Sequence, residues 1–150
     1  MKRILLLTGD GGEGFEAEVA APSHRRLHMV MHDFEPGWDT YVERPGYGVN
    51  ADAAIADVTA EGLDAVLIPG GRAPEDLRHD GQVLEIVRAF DNQGNGGRKV
   101  TRYEHVRSEV AFAGGEWQSE QAVRDGRMVT AQTWESHPEF YREVMACLAS

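Results

Sequence analysis

Two hydrophobic rhythms share this chain. Ile4 to Leu7 is an unbroken apolar run, the mark of a strand buried on both faces of a parallel sheet, and Ala65 to Ile68 repeats it. The other rhythm is helical. Leu77, Val83, Leu84, Val87 and Phe90 recur near a 3.6-residue spacing, which predicts one amphipathic helix over Pro74 to Asn92, with Gly94 as its stop. His137 to Leu148 predicts a final helix with Pro138 in its first turn and an apolar face of Phe140, Tyr141, Val144, Met145 and Leu148. A shorter helix is predicted over His105 to Ala113, ended by Gly114-Gly115. Arg98 to Tyr103 reads as a strand, and Trp117 to Thr133 as a β-hairpin turning at Asp125-Gly126. His24 to Phe34 fits an extended segment or a helix. Glu35 to Gly48, rich in Gly, Pro and aromatics, reads as loop with short strands, and Ala51 to Asp57 as a strand or turn. Alternating strands and helices place the chain in the α/β class with a mainly parallel sheet.

Charge narrows the partners. Fifteen Lys and Arg stand against 25 Asp and Glu, a net charge of -10. Phosphate-rich partners are repelled by such a chain, so neither nucleic acid nor a membrane is expected as a partner. The N-terminal apolar run is too short for a signal h-region, and no segment is long enough to span a bilayer. Cys147 is the one cysteine, so no internal disulfide can form; a cytoplasmic protein is expected. The 150 residues suffice for one domain with a real core.

Chemistry concentrates at Asp64 to Glu75, where the second apolar run meets Pro69-Gly70-Gly71-Arg72-Ala73-Pro74-Glu75. Such a turn offers free backbone N–H groups at the C-terminal end of a strand, where open α/β sheets bind ligands. Gly9-Asp10-Gly11-Gly12-Glu13-Gly14 formally fits a dinucleotide-binding turn. Asp10 and Glu13, however, place carboxylates where a pyrophosphate would sit. A tight glycine turn, or a functional Glu13, are the alternatives. His24, His28 and His32 are spaced by four and would share a helix face as metal ligands, but in an extended chain they lie too far apart for one ion. Pro22 argues against the helix, so no metal is expected, and no cofactor either. Cys147, near the end of the last helix, is a poor nucleophile candidate and reads as packing. Tyr103-Glu104-His105 and Trp134 with His137 could line pockets, although capping or packing is the commoner use of such groups. There is no G-x-S-x-G elbow, P-loop lysine or Cys-x-x-Cys.

At Pro69 to Glu75 the chain resembles the PfpI-type superfamily of intracellular cysteine peptidases, protein deglycases and glutathione-independent glyoxalases. Further matching pieces are Lys2 to Asp10 with Glu13 and Glu16, His32-Asp33-Phe34 with Thr40-Tyr41 and Glu43, and Gly97 to Thr101 with Tyr103. Ala113 to Trp117, Asp125-Gly126, Val129-Thr130 and His137 to Phe140 complete them. The resemblance implies a flavodoxin-like three-layer sandwich, related to the class I glutamine amidotransferases, with a site at the strand C-termini. It implies a cysteine-dependent hydrolase or lyase acting on peptides or small carbonyl compounds. Glu13 matches the glutamate that tunes the thiol. Gly71, within Gly70-Gly71-Arg72, matches the donor of an oxyanion-hole N–H. Glu75 matches the glutamate that reaches a neighbouring subunit's histidine, which implies a homo-oligomer, a dimer or higher.

Two pieces of the pattern are missing. The resemblance implies a strand, a Cys-His elbow and a helix between Asn95 and Gly97, about twenty residues, and the chain has none of them there. Between Glu16 and Val19 it lacks the first helix and most of the second strand. A non-catalytic family member, a stress-related or interaction module, is therefore the alternative. Either the 150 residues are a deleted or degenerate form, or they omit segments of a longer chain. Omission is favoured, because losing a central strand and helix leaves the apolar stripe of Pro74 to Asn92 without partners. Intact-mass measurement of the purified protein decides: a mass equal to that of the 150-residue sequence excludes omission.

Overall fold

The computed structural model describes residues 3–7, 18–91 and 96–150. The chain forms two compact units, Met1–Phe90 and Asp91–Ser150.

In the first unit β1 (Ile4–Leu7), β2 (Glu18–Ala21), β5 (Ala53–Ala54) and β6 (Ala65–Leu67) form a sheet in the order β5-β2-β1-β6, every pairing parallel. The order β2-β1-β6 begins the 2-1-3 progression of a flavodoxin-like α/β fold. Asp52 secures the start of β2: its carboxylate accepts from the Val19 N–H at 2.8 Å, and its own N–H donates to the Val19 carbonyl at 2.7 Å. Asp64 does the same for β1 through the backbone of Arg3.

A strand in a parallel sheet sends alternate side chains to opposite faces, and both faces must be covered. Ala20, with Leu5, faces a cluster of Ile55, Val58, Ala73, Leu77, Val83 and Ile86. Val19 and Ala21 face the other cluster, with Leu27, Met29 and Ala51. β6 splits likewise, Val66 to the first cluster and Leu67 to the second. Helices cover one face and the base of a β-hairpin covers the other.

The helical cover is α1 (Ala73–Leu77) and α2 (Gly81–Phe90), two elements where the apolar spacing predicts one. Asp80 makes the break. Its carboxylate accepts from the N–H groups of Gln82 at 2.8 Å and Val83 at 3.3 Å, the N-cap that starts a new helix. Val83 and Ile86 are buried. The stripe therefore has partners within this unit, contrary to the expectation that it would be bare without the missing segments.

The hairpin pairs β3 (Arg26–Phe34) with β4 (Tyr41–Asn50), antiparallel. It resolves His24 to Phe34 as a strand from Arg26 onward, with His24 in the bend before it, and replaces much of the loop expected over Glu35 to Gly48. The register shifts between His28 and Val30, where Gly46 and Tyr47 together oppose Met29. A Cβ on Gly46 would lie 3.0 Å from the Val30 backbone carbon, so any larger residue would push the facing strand away by a few tenths of an ångström. β6 also departs from expectation. Its residues are half-buried, and Ile68 is 43% exposed. Among the described residues β6 ends the sheet order, which explains why its apolar run is not fully covered.

In the second unit β7 (Lys99–Val100) pairs in parallel with β8 (Glu116–Trp117), and β9 (Ala122–Asp125) pairs antiparallel with β10 (Met128–Ala131). The β9–β10 turn is Gly126-Arg127, with Gly126 at φ 63° and Arg127 not positive, as in a type II′ turn. α3 (Arg107–Phe112) ends at Gly114, φ 79°, and α4 (His137–Ala149) packs on β9 and β10. No residue of α4 is fully buried, and β9 and β10 are half-buried throughout. Among the described residues of this unit the buried positions are Val100, Thr101 and Ser136. Thr101 joins β7 to the hairpin region: its hydroxyl donates to the Glu120 carbonyl at 2.7 Å, and its N–H donates to the Thr130 hydroxyl at 2.9 Å.

Two substitutions test these packings by urea unfolding. Leu27→Ala, at a fully buried position, costs about 2–5 kcal/mol. Thr101→Val leaves the Glu120 carbonyl without its donor and costs about 1–3 kcal/mol.

Candidate functional site

The chain leaves β6 through Ile68, the buried Pro69 and then two exposed glycines. Gly71 sits at φ 86°, a left-handed backbone that glycine adopts without steric cost. A Cβ at Gly70 would meet nothing within 4 Å, so that position is open. Arg72 is the N-cap of α1, and its carbonyl accepts the Glu75 N–H at 3.0 Å. Glu75 is exposed in the first turn of α1, and its carboxylate has no ion-pair partner among the described residues. Glu13 and the whole Gly9 to Gly14 turn lie outside the described residues.

The hairpin reaches this turn through one side chain. Arg72 Nη1 donates to Glu43 Oε2 at 2.9 Å, and Glu43 Oε1 lies 3.9 Å from His32 Nε2. His32 stacks on Tyr41 with ring centroids 4.0 Å apart. The register explains the set. His32 is directly opposite Glu43 and Phe34 opposite Tyr41, so all four share one face of the ribbon. Arg72 stands among the residues expected at the site; its partners do not. Reading Tyr41 to Asn50 as a strand would have found them, because Tyr41 and Glu43 then share a face.

The other face carries a second ion cluster. Arg44 Nε donates to Asp33 Oδ2 at 2.7 Å, and its Nη2 contacts Glu35. The Phe34 N–H donates to Asp33 Oδ1 at 2.9 Å. That backbone bond first, and Arg44 second, hold the Asp33 carboxyl below its ordinary value.

The remaining candidates separate. His28 and His32 lie on one strand, four residues and about 13 Å apart. Among the described residues no three His, Cys, Asp or Glu gather as a metal ion requires. Cys147 is half-buried in α4, its thiol donating to the Arg127 carbonyl at 3.7 Å. In the second unit Tyr103 meets His105 edge-on at 4.8 Å, and Glu104 and His105 line an open depression of about 440 Å³ with Arg107, Ser108 and Trp117. The ring of His137 packs against Tyr141. Among the described residues no helix is long and apolar enough to cross a membrane.

The model of the DJ-1/PfpI family matches residues 2–96 and 91–147. Protein DJ-1 homolog D of Arabidopsis thaliana is 33% identical over 186 residues, covering 98% of this chain and 48% of the plant protein. The chain thus spans about half the length of that relative. Protein/nucleic acid deglycase 2 of Escherichia coli is 29% identical over 170 residues, 99% of each chain. Among solved structures, a two-domain Anabaena variabilis protein with DJ-1/ThiJ/PfpI-like and ferritin-like domains superposes with a TM-score of 0.82 at 19% identity, over 99% of this chain and 48% of that one. Schizosaccharomyces pombe DJ-1 gives 0.73 at 16% identity, over 99% and 92%.

The Asp33 cluster gives a pH signature. The ionised Asp33 favours the folded hairpin above the ordinary carboxylate range, and this contribution is lost as pH falls through the depressed value. In Arg44→Ala the Asp33 titration followed by NMR moves upward. It stays below the ordinary value, because the Phe34 N–H, the larger cause, remains.

Proposed function

This chain belongs to the DJ-1/PfpI family, and from that premise we propose that it binds a small carbonyl compound or a peptide carbonyl at the Gly70–Gly71 turn without turning it over through a thiol of its own. In this reading the Gly71 N–H donates to the carbonyl oxygen, and Arg72, anchored by Glu43, fixes the approach to the turn. One observation carries it. The chain's one cysteine, Cys147, is held half-buried in α4 as a donor to a backbone carbonyl. A reactive thiolate needs an electropositive, partly open setting instead. The protein would act in the cytoplasm as a stress-related or interaction module.

A second reading is favoured by alignment length. The plant and Escherichia coli relatives align over 186 and 170 residues, against 150 in this chain. Those relatives carry residues that have no counterpart here. If the native chain has them too, it would be a cysteine-dependent hydrolase or lyase of peptidase, deglycase or glyoxalase type. Glu13 would then tune the thiol, Gly71 would face the developing oxyanion, and Glu75 would orient a histidine across an interface of at least a dimer.

Methylglyoxal is the probe that separates the two. Under the first reading it binds saturably in ligand-observed NMR, is not consumed, and loses binding in Gly71→Val, whose side chain cannot take φ 86° without strain. Iodoacetamide then modifies Cys147 alone. Consumption abolished by iodoacetamide replaces the first reading with the second.

A further inference from the structure

In the second unit β7 and β8 run parallel and end at one depression. Glu104, His105, Arg107 and Ser108 follow the end of β7, and Trp117 closes β8. The ground outside the carboxyl ends of parallel strands is where open α/β sheets bind ligands. The depression's volume, about 440 Å³, falls within the ~300–1,000 Å³ of small-molecule sites. Its lining carries charges of both signs. Glu104 and Arg107 are three residues apart, a spacing at which a helical turn lets opposite charges pair. Arg107 nonetheless makes no ion pair among the described residues, so its guanidinium keeps its donors. Glu104 Oε1 lies 3.8 Å from His105 Nε2, too far for a hydrogen bond, so the carboxylate keeps its capacity to accept. The Trp117 indole N–H is spent on the Arg102 carbonyl at 3.1 Å, and what it has left to offer a ligand is its ring. The Ser108 hydroxyl donates to Glu109 Oε2 at 3.2 Å, which leaves it an acceptor toward a ligand.

We propose that this depression binds a free amino acid with a flat or apolar side chain. A zwitterion answers each group of the lining. Arg107 takes the carboxylate through two parallel N–H bonds. Glu104 and Ser108 accept from the ammonium, and the Trp117 ring receives the side chain. A ligand with an anionic end alone would bring like charge to Glu104, and one with a cationic end alone would bring it to Arg107. A neutral carbonyl compound would use neither. The charge of the whole chain acts in the same direction. At a net charge of -10 a simple anion is repelled on approach, whereas a zwitterion carries no net charge. No part of this rests on carbonyl binding at the Gly70–Gly71 turn.

Titration with L-phenylalanine, followed through the tryptophan indole N–H signals in NMR, tests it. The chain has three tryptophans, and the Trp117 signal is assigned by elimination in Trp38→Phe and Trp134→Phe, both at exposed positions. The Trp117 signal moves saturably and the other two stay in place. 3-Phenylpropionate and phenethylamine, each lacking one of the two charged groups, bind about a tenth as tightly or less. Arg107→Gln and Glu104→Gln, confirmed as folded by circular dichroism, each weaken L-phenylalanine about tenfold or more, and Arg107→Lys recovers part of the loss. Arg142→Gln, which removes the same charge from α4, leaves the binding as in wild type. A Trp117 signal that stays in place overturns the proposal. So does equal binding of the three compounds, or binding that survives Arg107→Gln undiminished. Methylglyoxal is absent from this titration, so its outcome is separate from that of the carbonyl reading.

Discussion

Everything in the first unit follows from the need to cover both faces of β2. Three consecutive residues, Val19, Ala20 and Ala21, are buried and point alternately to opposite sides. Backbone paired in a parallel sheet gives no choice about this: a face left wet exposes apolar side chains. One side is met by α1, α2 and the short 3-10 turn at Ile55–Asp57. The other is met by a hairpin, which is longer than the sheet beneath it. Its base serves as that cover, and among the described residues the ribbon pairs with no further strand. The small residues of β2 matter as well. Two alanines allow Leu27 and Ile55 to approach from opposite sides and be almost fully buried themselves.

The two units are built differently. The second has Thr101 and Ser136 among its fully buried side chains, and both are satisfied by hydrogen bonds. Ser136 Oγ donates to Gln121 Oε1 at 2.6 Å, and Thr133 and Ser136 form a capping box ahead of α4. Polar groups buried and paired fix geometry well but add less to stability than apolar burial does. With α4 nowhere fully buried, this unit relies on specific bonds where the first relies on packing.

Much of this was legible in the residues. β1 and β6 were visible as apolar runs, α4 as a periodic stripe with Pro138 at its start, and the β9–β10 turn to within one residue, Asp125-Gly126 expected and Gly126-Arg127 found. What escaped was governed by local or distant effects that periodicity does not carry. Asp80 breaks a continuous apolar rhythm into two helices because a cap at that position competes with helix continuation. β4 was hidden because Pro45, Gly46 and Gly48 read as loop, although a glycine suits the close approach of the strands at the bulge. At the site, the Gly70-Gly71 turn and Arg72 could be picked out from their order in the chain. The link to Glu43 and His32 could not, because it depends on a strand register set in the hairpin, well away from the turn in sequence. The half-burial of β6 depends on what lies beyond it in the sheet, which a short run of apolar residues does not encode.

The bulge opposite Met29 has a consequence for how this ribbon can change over evolutionary time. Opposed strands keep their side assignments by parity: each single insertion or deletion reverses which residues look up and which look down. The bulge is the exception: losing Gly46 would set Tyr47 directly opposite Met29 and leave Val30 opposite Pro45 and His32 opposite Glu43. The extra residue therefore works as slack, whose loss straightens the ladder and keeps acids and bases on the sides they now occupy. A single deletion at the bulge should leave the His32–Glu43–Arg72 set in place, whatever the composition of the loop that joins the strands.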